Sequence, residues 1–375
     1  MAKSASYSKV ISFGGNPFFR KRVDGISRYA YNFLDEIARR NPQWLFLIVG
    51  FQEDVKHEDS LPKHDNVKAV FVPLNRRLYE ARSLFRPKAI DHYLPEKPDF
   101  HIIPELYALP HLASATTIVI VHDLVFRDVP ETSTWKNNLN LLRSTPRTLK
   151  QASVIACVSA FTQSRLKHYY PGEIAGKKML MAPGAIDKRF FIAPEEKEID
   201  GLRVKYNLPD TFYLVVGTME PRKNLEYVLK AFSSLSEDMQ KARPLVMVGK
   251  EGWGQKLPTD LENVTFTGYV EDEDLPKLYH LADALLFPSM YEGFGLPPLE
   301  AMAARTPVMA ADIAPVREFA SETIQYIALD NLDGLSSVLA VGPSRSMLEK
   351  AQEIARAYTW ENTIRQIESC INEGK

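Results

Sequence analysis

Apolar residues follow two alternating rhythms along this chain. Short apolar or β-branched runs occupy Lys9–Phe13, Leu45–Val49, Val67–Val72, Thr117–Val121 and Val154–Val158, as expected of strands buried on both faces of a parallel sheet. Helical stretches lie between them. In Ser27–Arg40 the apolar residues Tyr29, Ala30, Phe33, Leu34 and Ile37 recur at helical spacing. The alternation restarts near residue 212. It predicts strands at Phe212–Val216, Leu245–Val248, Val264–Phe266, Ala284–Phe287 and Pro307–Ala310, with a helix at Leu225–Leu235. Two such series predict two doubly wound α/β domains with parallel sheets. The Pro- and Glu-rich stretch Asp187–Asp200 is expected as the linker. Ligands of open parallel sheets bind beyond the carboxyl ends of the strands, so the ligand is expected in a cleft between the domains.

A length of 375 residues suits two domains better than one core. The 45% hydrophobic and 25% charged content is that of a globular protein. Cys157 and Cys370 form neither a metal-like spacing nor a disulfide framework, which favours a reducing compartment. No signal-peptide-like run stands in MAKSASYSKVISFGG, and no segment approaches the roughly 18 to 20 apolar residues of a membrane span. A cytoplasmic setting is therefore expected. The net charge of −1 conceals an asymmetry. Residues 1–190 hold 28 Lys and Arg against 18 Asp and Glu, and residues 191–375 hold 18 against 29, giving +10 and −11. The basic half suggests a face drawn to anionic surfaces. In particular, Arg76, Arg77, Arg82, Arg86 and Lys88 interleave with Leu78, Leu84 and Phe85, as at a membrane surface.

Candidate chemistry follows strand ends. In Pro288-Ser-Met-Tyr-Glu-Gly-Phe-Gly-Leu-Pro-Pro-Leu-Glu300 a strand gives way to a glycine loop and a helix opening at Pro297 or Pro298. Gly293 and Gly295 permit close backbone approach to a ligand, and the helix start suits a phosphate. Glu292 and Glu300 are carboxylates placed to accept from hydroxyls, although an acid near a helix start also complements the dipole. Gly217-Thr-Met-Glu-Pro-Arg-Lys-Asn224 sets Arg222 and Lys223 beside another helix start as a diphosphate clamp; the competing reading is a solvated surface pair. His122 ends an apolar strand, where a histidine serves either a ligand or the structure. Gly25, in Val23-Asp24-Gly25-Ile26-Ser27-Arg28, opens the first helix, where its backbone can approach a phosphate or simply start the helix. Gly249-Lys-Glu-Gly252-Trp-Gly254 has the wrong spacing for a dinucleotide fingerprint. There is no phosphate-binding Walker loop and no His/Cys metal cluster. Asp272-Glu-Asp274 reads as a helix cap rather than a metal site.

Jointly these strings resemble glycosyltransferase family 4, whose fold is GT-B. Tyr291–Ala304 resembles its motif of two glutamates separated by seven residues. Val215–Leu225, Phe266–Leu286, His122-Asp123-Leu124, Val158-Ser159, Pro183–Asp187 and Tyr358-Thr-Trp-Glu-Asn362 match further motifs, so the resemblance spans nearly the whole chain and points to mannosyltransferase-like members. It implies an acceptor-side domain at 1–190, a nucleotide-sugar domain at 191–357 and a C-terminal helix at 358–375 that crosses back onto the first domain. It implies a retaining, metal-independent hexosyltransferase without cofactor, using a nucleotide-sugar donor, GDP-mannose first; the basic first half adds the expectation of a glycan or lipid-linked acceptor. The enzyme would be cytoplasmic, peripheral on the inner face of a membrane. By the same resemblance Glu300 holds the ribose hydroxyls. Glu292 and the amides of Gly293, Phe294, Gly295 and Leu296 hold the transferred sugar. Arg222 and Lys223 neutralise the diphosphate, and His122 contacts the sugar near the reacting carbon. Gly25 sits against the phosphates, and Tyr269 and Val270 lie near the base. The chain departs from the family at Arg305, where glycine is usual, and in Arg317-Glu-Phe-Ala-Ser-Glu322. The alternatives are a nucleotide-sugar epimerase or phosphorylase on the same fold, or a catalytically silent sugar-nucleotide-binding protein.

Overall fold

The computed structural model describes residues 7–20, 24–76, 78–79, 89–106, 112–254, 257–258 and 261–374, with the side chains of 58 and 59 excepted. The chain divides into two compact units. One comprises residues 1–124, 136–184 and 360–375, the other 125–135 and 185–359.

The first unit holds seven parallel strands: β1 (Lys9–Gly14), β2 (Trp44–Phe51), β3 (Val67–Val72), β4 (Phe100–Ile103), β5 (Thr116–Val121), β6 (Val154–Cys157) and β7 (Lys178–Met181). Their order is β3-β2-β1-β4-β5-β6-β7. Every residue of β2 is buried, which is why it reads as an unbroken apolar run rather than an alternation. β4 and β7 were not legible as strands. They are four residues each, and β4 carries His101, whose Nδ1 lies 2.9 Å from the Ser12 hydroxyl inside the sheet.

The helix Gly25–Arg40 buries Tyr29, Ala30, Phe33, Leu34 and Ile37, the stripe its spacing predicts, and Asp24 caps it by accepting from Ser27 N at 2.8 Å. The C-terminal helix Trp360–Glu373 lies in this unit. Its Trp360 meets Tyr29 edge-on at 5.2 Å between rings, and its Thr363 hydroxyl donates to Pro183 O at 2.9 Å.

The second unit holds six parallel strands: β8 (Tyr213–Val216), β9 (Leu245–Val248), β10 (Val264–Gly268), β11 (Ala284–Phe287), β12 (Val308–Ala311) and β13 (Gln325–Ile327). They run in the order β10-β9-β8-β11-β12-β13. Both faces are covered. Phe212 and Leu214 join one apolar layer, Tyr213 and Val215 the other.

The expected linker is folded. Asp187 accepts from Arg189 N at 2.9 Å to cap a short 3-10 turn, Phe190 is buried, and a helix begins at Glu196. Its proline and acidic residues mark turn and helix starts rather than a flexible joint.

Candidate active site

In the second sheet β8 and β11 are neighbours, although the chain leaves β8 toward β9 and β10 and leaves β11 toward β12 and β13. The strand order thus reverses between them, and their loops open at one carboxyl edge. After β8 comes the turn Pro221–Lys223, closed by Asn224 at φ 53°. After β11, residues 288–295 lead into the helix Leu296–Ala303. Met290 N donates to Arg222 O at 2.8 Å and ties the two loops together.

This juxtaposition brings three of the singled-out side chains into contact. Arg222 Nη1 donates to Glu292 Oε2 at 2.6 Å, and Lys223 Nζ donates to Glu292 Oε1 at 2.6 Å. Arg222 Nε also donates to Glu220 Oε2 at 3.1 Å. Lys223 is buried and stands 5.2 Å from the centre of the Phe287 ring, so the Arg-Lys dipeptide is not a solvated surface pair. Burial alone would push the Glu292 carboxyl up; the Arg222 and Lys223 charges outweigh it and hold the carboxyl at about 2. Burial lowers the Lys223 ammonium, with Glu292 opposing. Burial likewise raises the Glu220 carboxyl against the pull of Arg222.

The loop after β9 braces this cluster. Gly249 has φ +151°, and a Cβ there would stand 1.9 Å from the Gly217 carbonyl oxygen. At Gly252 a Cβ would meet Met219 O at 2.4 Å, and at Gly254 Pro221 Cγ at 2.7 Å. Met219 and Glu251 form a parallel bridge. The glycine string set aside for its spacing is therefore a close-packed seat, against backbone at Gly249 and Gly252 and against the Pro221 ring at Gly254, for the loop that carries Arg222 and Lys223. Its legible signal was three glycines just after a strand, which serve close approach to protein rather than to phosphate.

Glu300 is buried in the helix Leu296–Ala303, and Oε2 accepts from the Tyr279 hydroxyl at 2.6 Å. Sequence reading did not single out Tyr279 or Glu220. Gly295 adopts φ +110° at the helix start. Phe294 turns inward, its ring 5.6 Å from Phe319 and 5.7 Å from Tyr358, and Leu296 packs on the same core. Both side chains are thus committed to the core, and only their backbone faces the loop.

Tyr269 and Val270 follow β10. Val270 is buried, while Tyr269 is half exposed with Lys250 Nζ 4.2 Å from its ring centre. Asp274 holds the cap position of the helix Leu275–Leu281, but its side chain makes no capping bond; its carboxylate instead takes Lys205 and the Tyr206 hydroxyl, each at 2.8 Å. Among the described residues no group of three or more His, Cys, Asp or Glu side chains is placed to hold a metal ion.

The departures also acquire reasons. Arg305 sits at φ 57°, a conformation glycine reaches without strain. Phe319, from the atypical Arg317–Glu322 stretch, supports Phe294, and its ring would stand 3.7 Å from a Cβ at Gly295.

His122 and Gly25 belong to the first unit. His122 Nε2 lies 2.9 Å from Pro104 O, a carbonyl that only accepts, so Nε2 carries the proton in the neutral ring. The ring meets Tyr29 edge-on at 4.8 Å, and burial pulls its pKa below the usual histidine value. Gly25 is the first residue of its helix, and a Cβ there meets nothing within 4 Å, so no protein contact demands a glycine. Arg76 is not a surface charge. It pairs with Asp54 at 2.5 Å, donates to Asn16 and lies over Phe51. Leu78 is exposed, and the remainder of the basic stretch, Arg77, Arg82, Leu84, Phe85, Arg86 and Lys88, lies outside the described residues.

Two doubly wound parallel sheets of this order are those of the GT-B fold, and the cluster of Arg222, Lys223 and Glu292 stands at the switch point of the second sheet, where open parallel sheets bind ligands as a rule. Residues 199–333 match the family model of glycosyl transferases group 1. Over 368 residues the chain is 28% identical to O-antigen chain mannosyltransferase B of Escherichia coli, covering 92% of this chain and 94% of that protein. It is 25% identical over 276 residues to O-antigen chain mannosyltransferase RfbU of Salmonella typhimurium, covering 72% of each. The solved structure of HepE from Anabaena in complex with UDP-glucose shares the fold, with a TM-score of 0.72 at 16% identity over 97% of this chain and 100% of that one. The chain is thus similar to the glycosyl transferases of this group along most of its length, and its second unit carries the matched region.

Proposed function

We propose that this protein is a glycosyltransferase that moves a hexose, mannose first, from a nucleoside-diphosphate sugar, GDP-mannose first, to a glycan or lipid-linked acceptor in surface polysaccharide synthesis. The observation that carries the reading is Glu292 held between Arg222 and Lys223 at the sheet's switch point. Glu292, ionised across the working pH range, accepts from hydroxyls of the transferred sugar. The two cations beside it neutralise the diphosphate as the bond from the sugar's anomeric carbon to the phosphate oxygen breaks, a task that needs no metal ion. The acceptor oxygen attacks on the face the diphosphate leaves. Its proton passes to the departing phosphate oxygen, and configuration is retained without a protein nucleophile. Glu300 takes the ribose hydroxyls, with Tyr269 and Val270 near the base. The amides of residues 293–296 bind the sugar, Gly25 lies against the phosphates, and His122 contacts the sugar through its unprotonated Nδ1. The mannosyltransferase relatives support the sugar and the polysaccharide setting.

The test is release of free nucleoside diphosphate from GDP-, UDP-, ADP- and dTDP-sugars without added metal, with a membrane extract as acceptor. Release from GDP-mannose, lost in Arg222→Ala and Glu300→Ala, is expected. Turnover only with a UDP- or dTDP-sugar overturns the donor. No turnover despite nucleotide binding favours the silent-binder alternative.

No helix among the described residues is long and apolar enough to cross a membrane. The basic first half, at +10 over residues 1–190, supports peripheral attachment to an anionic inner leaflet. Indifference to anionic vesicles at low salt would sink that reading.

A further inference from the structure

We propose that Glu220 is a proton-linked positioning residue of the clamp: it holds the Arg222 guanidinium until a donor binds, and it takes up a proton from solvent as the diphosphate arrives beside Arg222 and Lys223. The inference rests on the reading that these two cations receive the diphosphate.

The sequence sets this acid against the cations. Pro221 keeps the residue before it out of the helical region, and Glu220 stands extended at φ −119° and ψ 149°. The chain then turns, with Lys223 N donating to Glu220 O at 3.0 Å, and the Glu220 carboxylate accepts from Arg222 Nε at 3.1 Å. Arg222 Nη1 reaches Glu292 at 2.6 Å, so the guanidinium bridges two acids. The side chains of Glu220, Arg222, Lys223 and Glu292 are 12%, 23%, 10% and 11% exposed, and partly buried charges are screened little by salt. Their four charges sum to zero. A diphosphate brings further negative charge to this cluster, and a like charge nearby favours the neutral form of a carboxyl. Glu292 is bonded to two cations through both oxygens, each at 2.6 Å, and stays ionised. Glu220 bonds one cation, through a longer bond. Burial already pushes the Glu220 carboxyl up against the pull of Arg222 and Lys223, and Glu292 adds to the rise. The loop after β9 brings Lys250 and Glu251 against Met219; Lys250 Nζ lies 4.2 Å from the Tyr269 ring centre, and Glu251 is exposed. Protonation removes the charge of Glu220 but keeps an oxygen that accepts from Nε. The guanidinium's charge then serves the phosphates.

The test is calorimetric titration of the full-length protein with the GDP-, UDP-, ADP- and dTDP-sugars of the donor panel, without acceptor or metal, in Pipes and in imidazole. The two buffers differ in ionisation enthalpy, so the difference in measured heat counts the protons exchanged. The phosphates of a nucleotide-sugar lack the second proton that titrates at about pH 6 in a terminal phosphate, so the exchanged proton belongs to the protein. Wild type is expected to take up about half a proton or more per donor bound near neutral pH. Because the complex binds more protons than the free protein, affinity should rise as the pH falls, by up to about tenfold per pH unit. Glu220→Gln keeps an acceptor for Arg222 and cannot titrate. It should take up no proton, bind donor with a flat pH profile, and bind more tightly than wild type at the alkaline end. A residue that only shaped the loop would change affinity equally at every pH. No uptake by wild type overturns the proposal whatever the variant does, and uptake unchanged in Glu220→Gln overturns it too; both outcomes leave the transferase reading intact. Failure of wild type to bind any of the four donors overturns the donor site and this inference together.

Discussion

Glu292 shows how much a single residue depends on its neighbours here. Its side chain is nearly buried, and a carboxylate in that position is stable only because two cations bond both of its oxygens. Replacing the nearly buried Glu292 with glutamine removes the carboxylate that Arg222 and Lys223 share and should cost about 3 kcal/mol or more. The pH dependence has a definite sign. The folded carboxyl is depressed from 4.5 to about 2, so its contribution is complete above about pH 4.5 and is lost as the pH falls toward 2. The gap in urea midpoint between wild type and Glu292→Gln should therefore stay constant from pH 7 to about 5 and narrow below that. A gap that widens on acidification would contradict the ion-pair assignment. His122 behaves likewise. Burial depresses its pKa, so the folded protein keeps it neutral, and acidification through the unfolded value near 6.5 costs stability. NMR titration should find the ring neutral, with the proton on Nε2, at pH 7.

At the scale of elements, the site is a product of three loops at one sheet edge rather than of any single motif. The loop after β9 never needs to touch a ligand, yet Gly249→Ala would place a methyl group 1.9 Å from the Gly217 carbonyl. Backbone must move to admit it, and the loop that moves carries Arg222 and Lys223. The substitution should cost at least the 1 to 3 kcal/mol typical of overpacking and weaken nucleotide affinity more than Gly25→Ala, which meets open space. Equal effects of the two substitutions in a binding titration would remove the bracing role.

At the scale of the whole molecule, the last helix completes the first unit. Trp360–Glu373 buries Ile364, Ile367, Cys370 and Ile371 completely, and Gln366 accepts from Met181 N at 2.9 Å beside the edge strand β7. At about 1.5 to 3 kcal/mol per buried aliphatic side chain, a chain ending at Thr359 loses an amount comparable to a typical whole margin of stability from its three isoleucines alone. Deleting residues 360–375 should therefore melt the first unit while the second keeps its transition. Hydrogen exchange would show this as lost protection in β1–β3 with β8–β11 still protected.

What the sequence determined by itself is the alternation of strands and helices, the division into two parallel-sheet units, and the strings that lie at strand ends. Those features are local: runs such as Leu45–Val49 and Ala284–Phe287 are apolar because both faces of a parallel sheet are covered, whichever strand lies beside them. The resemblance also marked Arg222, Lys223, Glu292 and Glu300 in advance. Sequence did not disclose β4, β7 or β13, which are too short for periodicity to separate from loops. Only tertiary structure decided which charges meet. Arg222 and Glu292 are 70 residues apart and are joined because β8 and β11 pair. The same holds for Tyr279 on Glu300, for Gly249 against Gly217, and for the inward turn of Arg76 toward Asp54. Strand order sets these contacts, and strand order is fixed by the packing of all the layers together rather than by any stretch of sequence alone.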